Sequence, residues 1–256
     1  MVPRLFFNND AVASFEQLVD CYGTKEFLSP TRSTIPLLSL LKEKNKDFDE
    51  LILRTGISSG AEINIEYQVK SPQGRGKASH TDAMIIDGGE CLAIEAKWTE
   101  PPYETVEAWI KKGPSRKNRE AVMTGWLQYL QKQANRTLCL QDFNDVVYQM
   151  VHRAASACAT GEHPKLLYLH FTPRPDEKTS DPQHLLDGLR HLHKLLGAPM
   201  SFPFFLAEME AQPTDAYKPA LSLTKNQPST ASELIMALKA EGNSLFKFTL
   251  KELHKI

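Results

Sequence analysis

Two hydrophobic periodicities run along the chain, and each predicts a different kind of element. Strict alternation of apolar and polar residues predicts a half-buried strand over residues 62–69. Short apolar runs predict buried strands on both sides of residues 88–89, and over residues 166–171, 202–209 and 245–250. Buried strands of this second kind lie within a sheet that is covered on both faces.

Apolar residues spaced three and four positions apart predict the helices that separate these strands. The predicted helices begin at Asn9 or Asp10, at Ser33 or Thr34, near Met123, behind an Asp142 cap, at the Asp181–Pro182 pair and at Ser232. Residues 48–53 fit either a short helix or a short strand. Strands interspersed with helices in this way predict an α/β fold.

The pair of glycines at positions 88–89 is the strongest turn signal, because both can adopt the positive φ of a two-residue hairpin. With these glycines as the turn, cross-strand partners have residue numbers that sum to 177. Asp82 then lies opposite Glu95. Lys97 shares their face, and His80 lies opposite it. The hairpin is therefore expected to bring two carboxylates and an ammonium group together.

Both faces of this hairpin are largely apolar, as expected of strands that lie between two layers of helices. Burying Asp82 and Glu95 there is costly unless a cation compensates their charge. Lys97 supplies one positive charge against two negative ones. A divalent metal would balance the charge, and carboxylate oxygens suit Mg²⁺ or Mn²⁺.

Asp82, twelve intervening residues and the tripeptide Glu95-Ala96-Lys97 together form a pattern that resembles the PD-(D/E)xK nuclease superfamily. Thr81 stands where that family commonly has proline. The resemblance implies that Asp82 and Glu95 hold Mg²⁺ or Mn²⁺, with the backbone carbonyl of Ala96 as a further ligand. It also implies that Lys97 orients or activates the attacking water and offsets charge on the phosphate.

The resemblance covers residues 62–171 and implies a restriction-endonuclease-like fold, in which helices flank a mixed central sheet on both faces. On this basis residues 1–60 form an N-terminal helical part of the core and residues 61–172 form the nuclease core. Residues 173–256 are expected to be a C-terminal α/β extension that packs on the same domain.

The function implied is metal-dependent hydrolysis of phosphodiester bonds in nucleic acid, with DNA favoured over RNA and endonuclease over exonuclease action. Restriction-like or anti-phage defence roles fit this chemistry. A homodimer would supply the two sites needed to cut both strands. Because no ATP-binding signature is present, any signalling or translocation would come from a regulatory protein partner.

Two other interpretations stay open. In one, the chain is a catalytically silent nuclease-like fold that binds nucleic acid or serves assembly. In the other, the hairpin is purely structural, and Lys97 pairs with Glu95 or Asp82 as a buried ion pair.

Several further polar residues are candidates for the same site. Glu66, or less favourably Glu62, could add a carboxylate from the neighbouring strand. The residues that could contact the site or the phosphate are His80, Gln149, His152 and Arg153. For the helical ones, exposure to solvent without a function is the favoured interpretation.

Two basic segments flank the hairpin in sequence and are candidates for contact with a phosphate backbone. The first is a loop rich in glycine that is expected to be flexible, with Lys70, Arg75 and Lys77. The second is a dense cluster, with Lys111, Lys112, Arg116, Lys117 and Arg119. The alternative for both segments is a solvated surface.

Composition limits these assignments only slightly. The chain has 256 residues and a net charge of −1, so a nucleic-acid surface has to be a local patch. Four cysteines without metal-type spacing fit reduced thiols in the cytoplasm. Neither a signal peptide nor a membrane-spanning segment is expected.

Overall fold

Eight strands form one mixed sheet in the computed structural model, which describes residues 4–42, 46–58, 60–101, 103–173, 182–242 and 244–256. The strands are β1 (Leu5–Phe7), β2 (Asp10–Val12), β3 (Glu62–Val69), β4 (Ser79–Asp87), β5 (Glu90–Lys97), β6 (His163–Thr172), β7 (Phe204–Pro213) and β8 (Phe246–Lys255). Their order across the sheet is β2-β1-β3-β4-β5-β6-β7-β8. The pairs β1–β3, β5–β6 and β6–β7 are parallel, and the other pairs are antiparallel.

Helices cover both faces of this sheet, which confirms the α/β class. The first face carries α1 (Phe15–Cys21), α2 (Thr34–Lys42), α3 (Lys46–Arg54) and α8 (Pro228–Lys239). The second face carries α4 (Val106–Lys112), α5 (Arg116–Gln131), α6 (Tyr148–Thr160) and α7 (Pro182–Leu195). Each face has its own apolar core. Within the described residues, no helix combines the length and the apolar character needed to cross a membrane.

The hairpin has the predicted register. Its ladder runs from the Asp87–Glu90 pair beside the turn to the Ala83–Ile94 pair, and all partners sum to 177. Met84 and Ala93 pack into the core of the second face. Their neighbours Ala83, Ile85, Leu92 and Ile94 pack into the core of the first face. The predicted division of the hairpin between two helical layers is therefore confirmed.

Several predicted boundaries are wrong. The first helix begins at Phe15, because the residues before it form the β1–β2 hairpin, in which Asn8 and Asn9 adopt positive φ. Helix α6 begins at Tyr148 rather than behind Asp142, because residues Leu140–Phe143 form a separate 3₁₀ helix. The open segment at residues 48–53 belongs to a helix, α3. The proposed cap at Asp181 lies outside the described residues.

Strands from all three parts of the chain contribute to the one sheet. Residues 1–60, expected to be helical, also supply β1, which runs parallel to β3. Residues 61–172 supply β3 to β6. Residues 173–256 supply β7 and β8, and β7 pairs with β6 along its length. The C-terminal segment thus continues the sheet that contains the hairpin.

The basic loop between β3 and β4 is attached to α5 at two places. Ser71 Oγ donates to the carbonyl of Val122 at 2.9 Å. Arg75 N–H donates to Asn118 Oδ1, and Asn118 Nδ2 returns a hydrogen bond to the Arg75 carbonyl, each at 2.7 Å. The loop expected to be flexible is therefore held against a helix of the second face.

Gly125 of α5 makes this attachment possible, so Gly125→Ala is expected to destabilise the fold. A Cβ at this position would lie 2.1 Å from Ser71 Oγ and 2.9 Å from the Gln73 nitrogen. Overpacking outweighs the gain in helix propensity, and the expected net loss is about 1–2 kcal/mol in the free energy of unfolding. Urea denaturation measures it. Gly23→Ala is the control, since a Cβ there meets nothing within 4 Å. An equal effect of the two substitutions would contradict this account.

Candidate active site

Asp82 lies where β4 and β5 stop pairing. The ladder ends at Ala83–Ile94, and beyond it the Asp82 carboxylate accepts the Ala96 N–H at 2.8 Å through Oδ2. The Asp82 side chain thus provides the acceptor for the Ala96 N–H, where a continuing β4–β5 ladder would provide a backbone carbonyl. The direct pairing expected between Asp82 and Glu95 is replaced by this hydrogen bond, so the predicted register holds up to the site and not through it.

Glu66 lies opposite Asp82 on β3, between the pairs Ile65–Ala83 and Tyr67–Thr81, and has a φ of 53°. Such a backbone conformation is uncommon for residues other than glycine and is concentrated at functional sites. The strand turns over here: Ile65 packs on the first face and Tyr67 on the second, although alternation would keep both on one face. The carboxylate predicted as an additional ligand consequently lies in the cleft with Asp82.

Glu95 is buried, and both of its oxygens accept hydrogen bonds. Lys97 Nζ and Gln149 Nε2 each donate to its Oε1 at 2.7 Å, and Arg153 Nε donates to its Oε2. Lys97 and Arg153 are buried as well. Two cations and an amide therefore surround one carboxylate between β5 and α6.

The polar residues of α6 point into this site. Gln149 and Arg153 are buried, so the interpretation that they are exposed without a function is wrong. Arg153 can only donate, and its Nη1 lies 2.6 Å from Ser79 Oγ. The Ser79 hydroxyl then has its own hydrogen for His152 Nδ1, which lies 2.8 Å away. His152 Nδ1 accepts this hydrogen bond, so the ring is neutral here.

Charges around Glu95 keep the ion pair in its charged form. Burial alone would raise the pKa of Glu95, but the Arg153 and Lys97 charges together lower it. Burial would likewise lower the pKa of Lys97, whereas Glu95, Tyr103 and Asp82 together raise it. Glu95 is thus an anion and Lys97 a cation at neutral pH. This is also the geometry of the purely structural ion pair.

Asp82 and Glu66 have the opposite electrostatic situation. Burial, and next the Glu95 charge, raise the pKa of Asp82 well above its ordinary value. Burial, with Glu26 next, raises the pKa of Glu66 from 4.5 to about 7. Among the described residues, no cation forms an ion pair with Asp82. Arg153 and Lys97 offset part of the shift at Asp82, but burial outweighs them there, whereas at Glu95 the same two cations outweigh burial.

These groups line a cleft of about 660 Å³ at the end of the hairpin, which we call the site cleft. The carboxylates that line it are Glu26, Glu66, Asp82, Glu95 and Glu100. Glu100 fixes its edge, because Oε1 accepts from Ser33 N and Oγ at 2.8 and 2.7 Å and Oε2 accepts from Trp98 N at 2.8 Å. The Lys97 ammonium lies 4.5 Å from the centre of the Tyr103 ring.

The donors of the site cleft suit a hard cation, since they are carboxylate and carbonyl oxygens. Asp82 uses Oδ2 for the Ala96 N–H, and Oδ1 can face a ligand. Glu66 adds a second carboxylate with a raised pKa. Both oxygens of Glu95 already accept hydrogen bonds, and two of its three donors are cations, so Glu95 is less available to a metal than Asp82 or Glu66. Asp82 and Glu66, with the Ala96 carbonyl, are therefore the residues that fit a divalent metal.

A closer group of metal-type side chains lies elsewhere. In the described part of the chain, ligand atoms of Glu208, Glu252 and His254 on β7 and β8 lie within 4.8 Å of one another. Asp82, Glu95 and Glu66, the carboxylates predicted from the sequence, do not form a group within this distance of one another. Acidic clusters at a protein surface are common without a metal, so this group by itself assigns no site.

The lysines and arginines predicted to contact phosphate, together with His80, do not form one surface. Lys111, Lys112 and Arg116 form ion pairs with Glu107, Glu104 and Glu120. Lys70 and Lys117 are exposed. The cations that line a common cleft beside the site are Arg75, Lys77 and Arg119. His80 is directed to Glu66 rather than to Lys97, with Nδ1 3.4 Å from Glu66 Oε2.

The sequence alone did not identify four residues of the site. Ser79 joins α6 to β4, Tyr103 covers Lys97, and Glu26 and Glu100 line the site cleft. Proximity in sequence was a signal for Tyr103 and Glu100, which directly follow the hairpin. Glu26 and Ser79 reach the site through long-range packing, which no local pattern reports.

The raised pKa of Glu66 predicts that Glu66→Gln stabilises the protein at high pH. The folded protein keeps the Glu66 proton up to about pH 7, whereas the unfolded chain loses it near pH 4.5. The free energy of unfolding therefore falls as pH rises through this interval. Glu66→Gln should be more stable than wild type by up to about 3 kcal/mol at pH 8, with no such gain at pH 4. Urea denaturation in EDTA at both pH values measures this, and a gain independent of pH would contradict it.

Comparison with curated proteins and with solved structures found no match in either set. The profile of the DUF6946 family, described as a domain of unknown function, matches residues 11–203. The matched segment spans well over half of the chain and includes the whole hairpin, α6 and Glu66. The chain therefore belongs to the DUF6946 family.

Proposed function

We propose that this protein is a metal-dependent nuclease of the PD-(D/E)xK type with a restriction-endonuclease-like fold. The observation that carries the proposal is the half-buried Asp82 carboxyl group, whose pKa is raised by burial and by the Glu95 charge, beside Glu66 in an open cleft. A negative charge on Asp82 costs folding free energy. Stability of the hairpin alone therefore does not explain why an ionisable residue stands at this position. Strongly perturbed carboxyl groups in a cleft are typical of functional sites.

Each residue has a role that follows from its surroundings. Asp82 and Glu66 would hold Mg²⁺ or Mn²⁺, together with the Ala96 carbonyl. When bound, the divalent cation supplies polarisation of the phosphate and a lowered pKa for a ligated water. Lys97, kept charged by Glu95, would position the water or stabilise charge on the phosphate. Arg153 and Gln149 hold Glu95, and through it they orient Lys97.

The substrate and assembly follow from the resemblance. We favour DNA over RNA and endonuclease over exonuclease action, in a restriction-like or anti-phage defence role. Cutting both strands of a duplex would call for a homodimer, since two sites are needed. A regulatory protein partner would supply any control by nucleotide hydrolysis.

The second candidate function is a catalytically silent module that binds nucleic acid. One observation favours it: both oxygens of Glu95 accept hydrogen bonds from Lys97, Gln149 and Arg153. A metal at Glu95 would have to share its oxygens with these donors, two of which are cations. In this alternative Asp82, Glu66 and Glu95 line a binding cleft, and no phosphodiester bond is cleaved.

Metal-dependent cleavage tests the proposal directly. Wild-type protein should cut plasmid, single-stranded DNA or RNA with Mg²⁺ or Mn²⁺, and none of these in EDTA. Asp82→Asn should reduce cleavage to the level in EDTA, because it removes a carboxylate that would hold the metal. Lys97→Gln keeps a donor for Glu95 but removes the charge, and should lower the rate at least about 100-fold.

Asp87→Asn is the matched control for Asp82→Asn. Asp87 lies on the same strand beside the turn, where its carboxylate accepts from Ser58 N at 3.3 Å. It should cleave as wild type does, and circular dichroism should show that every variant is folded. If folded wild type cuts none of the substrates with either metal but binds DNA equally in EDTA, the binding module replaces the nuclease.

A further inference from the structure

A second cleft, of about 610 Å³, opens beside the site cleft. It lies between the loop at residues 70–78, the start of β4 and helices α5 and α6. Its cations are Arg75, Lys77, Arg119 and Arg153, and none of its described lining residues is Asp or Glu. We call it the basic cleft.

The charges of the two clefts are complementary in function. Five carboxylates line the site cleft against the cations Arg32, Lys97 and Lys225, so its lining has more acidic than basic groups and attracts a polyanion less than a basic surface does. The basic cleft provides the missing attraction, because cations that contact phosphates supply most of the affinity for nucleic acid. Arg75 and Lys77 are exposed at its edge and can reach a ligand.

Aromatic rings form the other part of the basic cleft. Trp109 and Tyr148 stack with their centroids 3.8 Å apart and an angle of 10° between the rings. The Arg119 guanidinium lies 4.6 Å from the centre of the Trp109 ring. Tyr103 is 48% exposed at the mouth of the cleft. Unpaired bases stack on exposed aromatic rings beside cations. The Trp109 ring is already in contact with Tyr148 and Arg119, so among these three rings Tyr103 is the one that offers a face to a base.

The two clefts share residues, which joins binding to the site. Tyr103 lines both clefts and covers Lys97. Gln149 and Arg153 line the basic cleft on one side and donate to Glu95 on the other. A strand bound in the basic cleft would therefore continue past Tyr103 to Lys97 and Asp82.

The exposed ring of Tyr103 favours a single strand over a paired one. The volume of the basic cleft is within the range of about 300–1,000 Å³ that is typical of sites for small organic ligands. Stacking on Tyr103 also requires a base that is free of its neighbours. A base pair within a duplex offers only its edges and its backbone.

We infer that the basic cleft binds an unpaired strand of nucleic acid. Arg75, Lys77 and Arg119 contact its phosphates, and a base stacks on Tyr103. The inference rests on the proposed nuclease function, and it makes single-stranded or unpaired nucleic acid the substrate class of that site.

Fluorescence anisotropy in EDTA tests the inference without any cleavage. The probes are a labelled DNA of about 20 nucleotides, its duplex and heparin as an unrelated polyanion. The single strand should bind at least about 10-fold more tightly than the duplex, and heparin should compete less well than unlabelled single strand. Tyr103→Leu should weaken binding of the single strand at least about 5-fold, because one stacked base is lost.

Two double variants that remove the same charge test whether binding depends on the cations of the basic cleft or only on the net charge of the protein. Arg75→Gln with Lys77→Gln should weaken single-strand binding at least about 10-fold and reduce the salt slope of log K by about 1.4. Lys70→Gln with Lys117→Gln removes two exposed cations that do not line the cleft, and should bind as wild type does. Equal loss in both pairs, tighter duplex binding or no binding at all would overturn the inference, provided that thermal unfolding shows each variant folded.

The two proposals fail in different ways. If the single strand binds in EDTA as described but no metal leads to cleavage, the nuclease function is wrong and the basic cleft stands as a binding site. If the protein cleaves duplex DNA with metal but does not bind the single strand, the assignment of the basic cleft is wrong and the nuclease function stands.

Discussion

The carboxylate of Glu95, held between β5 and α6, is the interaction on which the rest of the site depends. Arg153, Lys97 and Gln149 all donate to it, and all three are buried. Removing one partner from such a network leaves a charge buried without compensation, which typically costs about 3–5 kcal/mol. The network therefore fixes α6 against the sheet and fixes Lys97 at the edge of the site cleft. Its geometry is a requirement of folding as well as a condition for chemistry.

Glu95 and Asp82 differ in how their charges are balanced, and this difference divides the site into two parts. Two neighbouring carboxylates on one hairpin have pKa values shifted in opposite directions, because two cations face Glu95 and burial dominates at Asp82. Glu66 adds a second carboxyl group with a raised pKa, from a strand whose backbone adopts an unusual conformation. Negative charge on these two groups reduces stability, and a bound cation would offset that cost. Under the proposed function the metal would be held at Asp82 and Glu66, and Glu95 would organise Lys97.

The sequence predicted much of this site because a hairpin obeys local rules. A turn at two glycines and a side-chain period of two were enough to place Glu95 and Lys97 on one face and to assign both apolar faces correctly. The same rules failed where the ladder ends. Asp82 hydrogen-bonds to Ala96 instead of pairing with Glu95, and Glu66 reverses the faces of β3, because neither event follows from a repeating pattern. The sequence also did not predict that the polar residues of α6 form one hydrogen-bond network with Ser79 and Glu95. Ser79 and His152 are 73 residues apart, and polar residues beside an apolar helical stripe look exposed until the second face is assembled.

Calorimetric titration of Mn²⁺ without nucleic acid tests most directly whether the carboxyl group of Asp82 is part of a cation site, as we propose. Wild type should give a saturable heat of Mn²⁺ binding, and Asp82→Asn should lose this binding while staying folded. Glu208→Gln should retain it, since Glu208 belongs to the separate group on β7 and β8. Binding that persists in Asp82→Asn but disappears in Glu208→Gln, or no binding to wild type, would contradict the account.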